Sequence, residues 1–286
     1  MIELELTPPR PYRLADAVGG RDPTRRSGGG VLELALRTEA GPARARVWQR
    51  IDGTLGVRLH APDAEAAVER LRFVLSADVD HRPFLELAER DRLLAPLVRR
   101  RRALRPSRCS TFAQSLIRAL AGQLIPAVEA ARIERRVLGA ISERADGLRM
   151  PPGRDDLRRL SAATATGCGL SPRRAATLVR LARTLDPARF DAAPTEAVLR
   201  RLRAEPGIGP WAAGVICGQG LGRADAAPAG DLGLIKLCSA LLRRPAEAAD
   251  TEELLARYAP WQGFAAAHLL GHPLAHGQAF RGHLAA

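Results

Sequence analysis

The spacing of apolar residues changes once along this chain of 286 residues, and that change limits the folds it can adopt. Near the amino terminus apolar and polar residues alternate, which predicts strands with one buried face. Beyond residue 103 apolar residues recur every three or four positions, which predicts amphipathic helices. The alternating segments are Ile2–Leu6, Val31–Arg37, Ala43–Ile51 and Leu55–His60. The predicted fold class is therefore mainly α, a helical bundle that follows a small amino-terminal α+β domain.

Arginines mark the expected boundary between the two parts. The run Arg99–Arg102 is followed by Arg105 and Arg108. We interpret this segment as a solvated linker, with direct contact to phosphates as the alternative. The sequence thus predicts an amino-terminal domain of residues 1–103 and a helical domain of residues 104–286. Within the first domain, Arg21–Gly30 is expected to be a mobile loop.

The chain carries a formal net charge of +13, with 44 lysine and arginine residues against 31 acidic ones. A cationic excess of this size favours nucleic acid over acidic small molecules as a partner. Lys236 is the only lysine. A GC-rich genome would explain this choice of arginine over lysine, but it would not create the cationic excess itself.

The sequence contains neither a run of about 18 apolar residues nor a secretory signal, so we expect no membrane span and a cytoplasmic location. Its four cysteines are widely spaced. They show neither zinc-ligand spacing nor a disulfide framework, and we expect them to be buried as small apolar residues. They are Cys109, Cys168, Cys217 and Cys238.

A glycine-rich turn between two predicted helices is the first motif that carries chemistry. Helix Thr195–Ala204 runs into Pro206-Gly207-Ile208-Gly209-Pro210, and a second helix follows. Two glycines around an isoleucine permit a tight hairpin, and proline suits the first turn of the second helix. Backbone amides at such a turn can hold a phosphate oxygen without reading base sequence. Ile208 is expected to anchor this hairpin in the core.

Asp231 follows the hairpin and precedes the apolar helix that starts at Leu232. An aspartate before a helix is an excellent N-cap, and on its own that structural role explains the residue. Helix amides also stabilise the ionised form of such a carboxylate, which can then face a cation. The two roles are compatible, so the upstream hairpin favours a catalytic hypothesis for Asp231.

The segment Leu202–Leu237 resembles the hairpin and catalytic-aspartate signature of the helix-hairpin-helix DNA glycosylases, in particular the 3-methyladenine DNA glycosylase II (AlkA-like) branch. Further likeness appears in the same order as in that family, over roughly residues 105–272. It covers Ala121-Gly122-Gln123-Leu124, the G-L-S-x-x-R-A pattern within Gly169–Ala182, and Pro260-Trp261 with Ala267-His268-Leu269. The first hundred residues resemble the amino-terminal domain of that branch only weakly.

The resemblance implies that Asp231 is the catalytic carboxylate. It also implies that Leu124 wedges into the duplex where the target base departs, although a core leucine is an equal alternative. The residues expected to contact DNA are Gly207, Ile208, Gly209, Leu124, Gln123 and Lys236.

Trp211 stands where bifunctional relatives carry a Schiff-base lysine, so the resemblance implies hydrolysis without abasic-site lyase activity. The expected base pocket consists of Trp211, Trp261, Leu232 and Val215. Val215 and Leu232 stand where the best-known relatives place tyrosines, and only 4% of this chain is aromatic. Fewer aromatic faces weaken the selection of electron-poor cationic bases.

The function implied is that of a monofunctional DNA glycosylase that everts and hydrolytically excises alkylated bases, of the 3-methyladenine and 7-methylguanine type, in base excision repair. We expect a nucleoid-associated monomer acting on damaged double-stranded DNA, with no catalytic metal and no iron–sulfur cluster. The hairpin carbonyls are a candidate site for a monovalent cation. The same fold acting on oxidised, deaminated or uracil bases is one alternative, and a non-catalytic DNA-binding module is another.

Overall fold

A computed structural model describes residues 1–17 and 22–277 of the chain. The strands are β1 (Ile2–Leu6), β2 (Arg25–Gly28), β3 (Val31–Thr38), β4 (Gly41–Gln49), β5 (Leu55–His60), β6 (Arg144–Ala145) and β7 (Leu148–Arg149). The α-helices are α1 (Leu14–Ala17), α2 (Ala64–Val74), α3 (Arg82–Arg90), α4 (Ala95–Arg100), α5 (Phe112–Gly122), α6 (Ala127–Ile141), α7 (Arg154–Arg158), α8 (Ala162–Gly167), α9 (Pro172–Thr184), α10 (Thr195–Arg203), α11 (Pro210–Val215), α12 (Leu232–Leu242), α13 (Ala248–Ala256) and α14 (Gln262–Leu269). A π-helical turn, Ile216–Gly220, extends α11.

The amino-terminal part is a five-stranded antiparallel sheet with strand order β1-β5-β4-β3-β2. Helix α2 packs on it, and Leu71 of that helix is fully buried. The alternation in β3 has the expected effect, since Leu32, Leu34 and Leu36 are all buried beneath the helix. The predicted α+β architecture of this part is confirmed.

One segment of the sheet contradicts its prediction. Strand β2 lies within Arg21–Gly30, which we expected to be a mobile loop, and it pairs with β3 in the register Arg25 to Leu34. The prediction is wrong for this strand because its residues, Arg-Arg-Ser-Gly, carry no apolar alternation. Pairing with the edge of an existing sheet supplies the backbone hydrogen bonds that hold such a polar strand.

The arginines after α4 form a solvated linker only in part, since Arg101 and Arg102 are exposed whereas the two that follow are not. Arg105 and Arg108 are buried, and neither is available to a phosphate. Arg105 donates to the carbonyl oxygens of Ser76 and Val79 at 2.9 and 2.7 Å. Arg108 forms an ion pair with Asp78 at 2.8 Å. Both interpretations of these two residues are therefore wrong, because their donors satisfy carbonyl and carboxylate groups at the junction with the amino-terminal part.

The helices form two apolar clusters. The first helical cluster is built mainly from α5, α6, α9, α10 and α11. The second helical cluster contains α12, α13 and α14 together with α3 and α4. Residues 82–100 thus pack with the carboxy-terminal helices, although they precede the predicted domain boundary. The division into residues 1–103 and 104–286 remains a prediction.

A buried ionic network connects the start of β2 with two helices of the first helical cluster. Asp22 pairs with Arg25 at 3.1 Å and with Arg118 of α5 at 2.6 Å. Arg118 also pairs with Glu134 of α6 at 2.9 Å. Burial alone would raise the pKa of Asp22, but Arg25 and Arg118 together hold it well below its ordinary value. The network therefore contributes to stability only while Asp22 is ionised.

We predict that Asp22→Asn lowers the free energy of unfolding near neutral pH by about 3 kcal/mol, because it leaves a buried guanidinium partly uncompensated. Since the folded-state pKa of Asp22 lies below the unfolded value, its contribution is complete above about pH 4 and is lost as the pH falls further. Urea denaturation of both proteins near pH 7 and near pH 3 measures this, and the difference between them should shrink in acid. Asp155→Asn, at an exposed carboxylate, is the control. Equal stabilities of wild type and Asp22→Asn near pH 7 would contradict the assignment.

Candidate functional site

A cleft of about 1450 Å³ opens between the first helical cluster and the start of α12. Its walls are the end of α5 with the start of α6, the start of α9, the hairpin before α11, one face of α11, and the segment that enters α12. Eight large apolar side chains are exposed among the described residues, and three of them line this cleft, namely Leu124, Val128 and Leu232. Exposed apolar groups gathered in one concave site indicate a binding surface.

Asp231 caps α12 at the wall of this cleft, as the sequence predicts. Its Oδ1 accepts a hydrogen bond from the Gly233 amide at 2.8 Å. Its Oδ2 accepts from Trp211 Nε1 at 3.0 Å, so each carboxylate oxygen has a donor. The side chain is half-buried and still reaches the cleft. Two donors on one carboxylate fix its orientation and stabilise its negative charge.

Two glycines allow the segment that carries Asp231 to pass between the helical clusters. A Cβ added to Gly214 of α11 would lie 1.9 Å from the carbonyl oxygen of Ala227. A Cβ added to Gly263 of α14 would lie 2.8 Å from the carbonyl oxygen of Ala226. Backbone therefore packs directly on backbone from both sides of residues 224–231. This close packing sets the position of Asp231 relative to α11.

Trp211 and Val215 line the cleft on successive turns of α11. The ring of Trp211 lies against the end of α5, where a Cβ added to Gly122 would lie 2.5 Å from Trp211 Cη2. The absence of a side chain at Gly122 therefore allows the indole to pack directly against α5. The sequence motif that contains Gly122 thus has a packing role beside its position at the helix end.

The other two residues of the expected base pocket lie in different environments. Leu232 lines the cleft and is 54% exposed. Trp261 is not among the residues that line the cleft. Its ring packs against Phe84 and Phe264, with centroids 6.5 and 5.4 Å away, in the second helical cluster. Trp261 therefore packs against the second helical cluster and is not part of the wall of this cleft.

The hairpin has the conformation that its glycines require. Gly207 has φ of +88°, and an added Cβ would lie 2.8 Å from Thr177 Oγ1. Ile208 is buried in the first helical cluster, as expected for an anchor. Gly209 caps α11, and nothing lies within 4 Å of the Cβ that another residue would carry there. The backbone at Gly209 is therefore open to a large partner.

Leu124 projects from the rim of the cleft and is 84% exposed, so it is not a core leucine. Its φ of +54° is unusual for a branched residue. The preceding residue is held on both sides: Gln123 Nε2 donates to the Gly207 carbonyl at 2.9 Å, and Arg174 donates to the Gln123 carbonyl. These bonds join the wedge candidate to the hairpin and to α9.

Lys236 lies one turn after Leu232 on the exposed side of α12 and is not among the residues that line the cleft. The structure therefore brings together Asp231, Trp211, Val215, Leu232, the hairpin glycines with Ile208, Gln123 and Leu124. Contact of Lys236 with DNA stays a prediction.

Sequence reasoning missed a polar cluster, defined as Asp22, Arg118, Glu134 and Gln219, which also lines the cleft. The side chains of Asp22 and Glu134 are 2% and 5% exposed, so the cluster forms a buried part of the wall. Arg118 Nη1 donates to Gln219 Oε1 at 3.1 Å. No local pattern could have revealed this cluster, because its members come from four separate parts of the chain and meet only in the folded structure.

Four carboxylates line the cleft in the described part of the chain, and three of them are ion-paired. Asp22 and Glu134 both pair with Arg118. Glu205 pairs with Arg180 and Arg201 beside the hairpin, and although burial opposes it, these arginines hold the pKa of Glu205 below its ordinary value. Asp231 is the one carboxylate of the four that has no cationic partner there. Its charge therefore remains available to a cation that enters the cleft.

Within residues 1–17 and 22–277, no group of three or more potential metal ligands is found, and no helix has the length and apolar character needed to cross a bilayer. The four cysteines are buried and free, as expected. Burial raises the pKa of the Cys109 and Cys217 thiols to about 12, which makes them poor nucleophiles.

Comparison with solved structures shows a shared fold. The 3-methyladenine DNA glycosylase from Archaeoglobus fulgidus aligns with a TM-score of 0.79 at 20% identity, over 96% of this chain and 98% of that one. The 8-oxoguanine glycosylase/lyase of Clostridium acetobutylicum, in complex with double-stranded DNA, aligns with a TM-score of 0.70 at 14% identity, over 88% and 98%. The chain therefore has the fold of the helix-hairpin-helix DNA glycosylases, and the resemblance seen in its sequence is confirmed at the level of the fold.

Among curated proteins, a probable bifunctional transcriptional activator/DNA repair enzyme AlkA of Mycobacterium tuberculosis is 46% identical over 77 residues. That match covers 26% of this chain and 15% of the length of the curated relative. No protein-family model matches the chain.

We predict that Gly214→Ala lowers the free energy of unfolding by about 3 kcal/mol, because the new methyl group would displace the backbone at Ala227. Gly167→Ala is the matched control, since it also adds one methyl group to a helix and meets no atom within 4 Å. That variant should be unchanged or more stable by less than about 1 kcal/mol. Chemical denaturation of the two variants tests the prediction, which fails if they are equally stable.

Proposed function

We propose that this chain is a monofunctional DNA glycosylase that removes alkylated bases from double-stranded DNA in base excision repair. The observation that carries the proposal is the state of Asp231 at the wall of the cleft beside the hairpin. Two hydrogen bonds hold this carboxylate, and it forms no ion pair with any residue that the structure describes. Such a group can stabilise positive charge at the sugar C1′ as a glycosidic bond breaks, and it can orient the attacking water.

Binding would begin at the phosphate backbone. The net charge of +13 favours a polyanion, and Arg173 and Arg174 lie at the mouth of the cleft next to the hairpin. The open backbone at Gly209 gives a phosphate close access to the hairpin. Because bases inside a duplex cannot reach the cleft, the target nucleotide must be everted, at a cost of about a few kcal/mol. Leu124, exposed at the rim, is the candidate to fill the vacated stack.

The set of acids in the cleft favours a base that is already a good leaving group. A neutral leaving group usually needs a second carboxylic acid to protonate it. The other three carboxylates that line the cleft are ion-paired with arginines, which leaves none of them free to protonate a leaving base. A purine alkylated at N3 or N7 carries positive charge and needs no such donor. This reasoning supports alkylated bases as substrates, in line with the name of the Archaeoglobus 3-methyladenine DNA glycosylase.

Oxidised bases are the second candidate class, because the Clostridium 8-oxoguanine glycosylase/lyase has the same fold. Deaminated bases and uracil belong to the same alternative. A non-catalytic DNA-binding module would keep the hairpin and the charge but would release no base. Incubation with randomly methylated DNA, followed by identification of the freed bases by mass, separates the first proposal from that module. A set of duplexes with one defined lesion each separates the lesion classes.

We predict that Asp231→Asn lowers the rate of base release about a hundredfold or more while duplex binding stays within a few fold of wild type. Asp63→Asn is the matched control, because Asp63 also caps a helix, with a hydrogen bond to the Ala66 amide, but belongs to α2. Rates under single-turnover conditions and binding by fluorescence anisotropy measure the two effects. Undiminished release by Asp231→Asn would refute the catalytic assignment.

We also predict that borohydride traps no covalent adduct between the protein and damaged DNA. Trp211 occupies the wall position at which the resemblance places a Schiff-base lysine, and no lysine is among the residues that line the cleft. The experiment is gel analysis after borohydride treatment, with Lys236→Ala beside wild type. An adduct that disappears in Lys236→Ala would establish lyase chemistry and overturn the monofunctional proposal.

A further inference from the structure

Gln219 lies on the cleft face of the helical segment that begins with α11. Trp211, Val215 and Gln219 are spaced by four residues and all line the cleft. At about 1.5 Å of rise per residue, Gln219 is about 12 Å further along this helix than Trp211, the residue that binds Asp231. The π-helical turn at residues 216–220 carries Gln219, and such turns are frequent at functional sites.

Close packing of this turn against α5 brings Gln219 to Arg118. A Cβ added to Gly220 would lie 2.2 Å from Ser115 Oγ, so no larger residue would allow the two segments to approach this closely. The Gln219 carbonyl also accepts a hydrogen bond from the Cys109 amide at 2.8 Å. Both the backbone and the side chain of Gln219 are therefore held in place.

The orientation of the Gln219 amide follows from the chemistry of its partner. Arg118 Nη1 lies 3.1 Å from the amide, and a guanidinium can only donate hydrogen bonds. The amide oxygen must therefore face Arg118, which leaves the NH₂ group for the cleft. Within the described residues, that NH₂ group donates to no other side chain or carbonyl. The wall at Gln219 therefore presents a hydrogen-bond donor.

The surroundings keep this donor fixed and the local charge balanced. Arg118 donates to Glu134 through Nε at 3.1 Å and to Asp22 through Nη2 at 2.6 Å, so it cannot rotate away from Gln219. Asp22 also pairs with Arg25. Two cations and two anions cancel, and the group therefore offers a cationic base no net repulsion.

We infer that Gln219 is a specificity-determining residue that selects everted purines carrying an oxygen at C6 over purines carrying an amino group there. The inference rests on the proposed function, since it assigns a substrate class to the same cleft. C6 lies on the ring remote from the glycosidic bond, and Asp231 and Gln219 lie at separate positions along the cleft wall. The O6 of guanine is an acceptor, whereas the N6 amino group of adenine is a donor. A fixed N–H donor therefore matches 7-methylguanine and opposes 3-methyladenine at this position.

The test is a competition within one reaction. Duplex DNA treated with a methylating agent contains 7-methylguanine and 3-methyladenine, and mass spectrometry follows the release of both bases from the same sample. The ratio of their rate constants does not depend on the concentration of active protein. Wild type should release 7-methylguanine with the larger rate constant. Gln219→Glu keeps the size of the side chain and its bond to Arg118 but replaces the NH₂ donor with an acceptor.

We expect Gln219→Glu to lower the rate constant for 7-methylguanine about tenfold or more, since an unmatched buried polar group is strongly disfavoured, and to leave that for 3-methyladenine equal or higher. Gln219→Leu removes the donor without adding a charge, although it also loses the bond to Arg118. It should lower 7-methylguanine release without lowering 3-methyladenine release, and it replaces the charged variant if that variant folds poorly. Gln262→Glu, in the first turn of α14 and not among the residues that line the cleft, is the control for added charge. An unchanged ratio in both Gln219 variants would overturn the inference. Failure of wild type to release either base would instead refute the proposed function.

Discussion

The hydrogen bond between Trp211 and Asp231 joins the two helical clusters at the point where the cleft opens. Trp211 belongs to α11 in the first helical cluster, and Asp231 begins α12 in the second. The indole can lie there only because Gly122 has no side chain, and the carboxylate can lie there only because Gly214 and Gly263 admit the backbone before it. The geometry of the site thus depends on three places where a methyl group would not fit.

The carboxylates that line the cleft are of two kinds, three that are paired with arginines and one, Asp231, that is not. Arginine is abundant in this chain, and the arginines near the cleft pair with Asp22, Glu134 and Glu205. Asp231 is left with neutral donors, a backbone amide and an indole N–H. Neutral donors stabilise an anion and fix its direction without cancelling its charge. The same cleft therefore contains carboxylates that serve structure and one that can act on a cation.

The walls of the cleft combine two kinds of surface. Trp211, Val215 and Leu232 form an apolar side, while the polar cluster around Arg118 forms a buried side with fixed hydrogen-bond directions. The sequence has few aromatic residues, and Trp261 was therefore expected in the base pocket. Its ring packs with Phe84 and Phe264 instead. Discrimination between bases in such a cleft would rest more on hydrogen bonding than on stacking.

The local sequence pattern was enough to predict those elements that depend only on residues close by in the chain. The alternation of β3, the turn at Gly207, and the N-cap at Asp231 all depend on backbone preferences within a few residues, and the structure contains each of them. Long-range contacts decided the rest. β2, the burial of Arg105, and the polar cluster could not be predicted, because their stabilising partners lie far away in sequence.

What the sequence by itself determined is therefore the mainly helical class, the hairpin, and the aspartate that follows it, since backbone geometry and capping act over a single turn. Only the tertiary structure decided which carboxylates are neutralised, that Leu124 is exposed, and that Gln219 faces the cleft beside Arg118. The physical reason is that the state of a charge or a polar group depends on which atoms surround it. Those atoms come together here from segments more than ninety residues apart, such as Asp22 and Arg118.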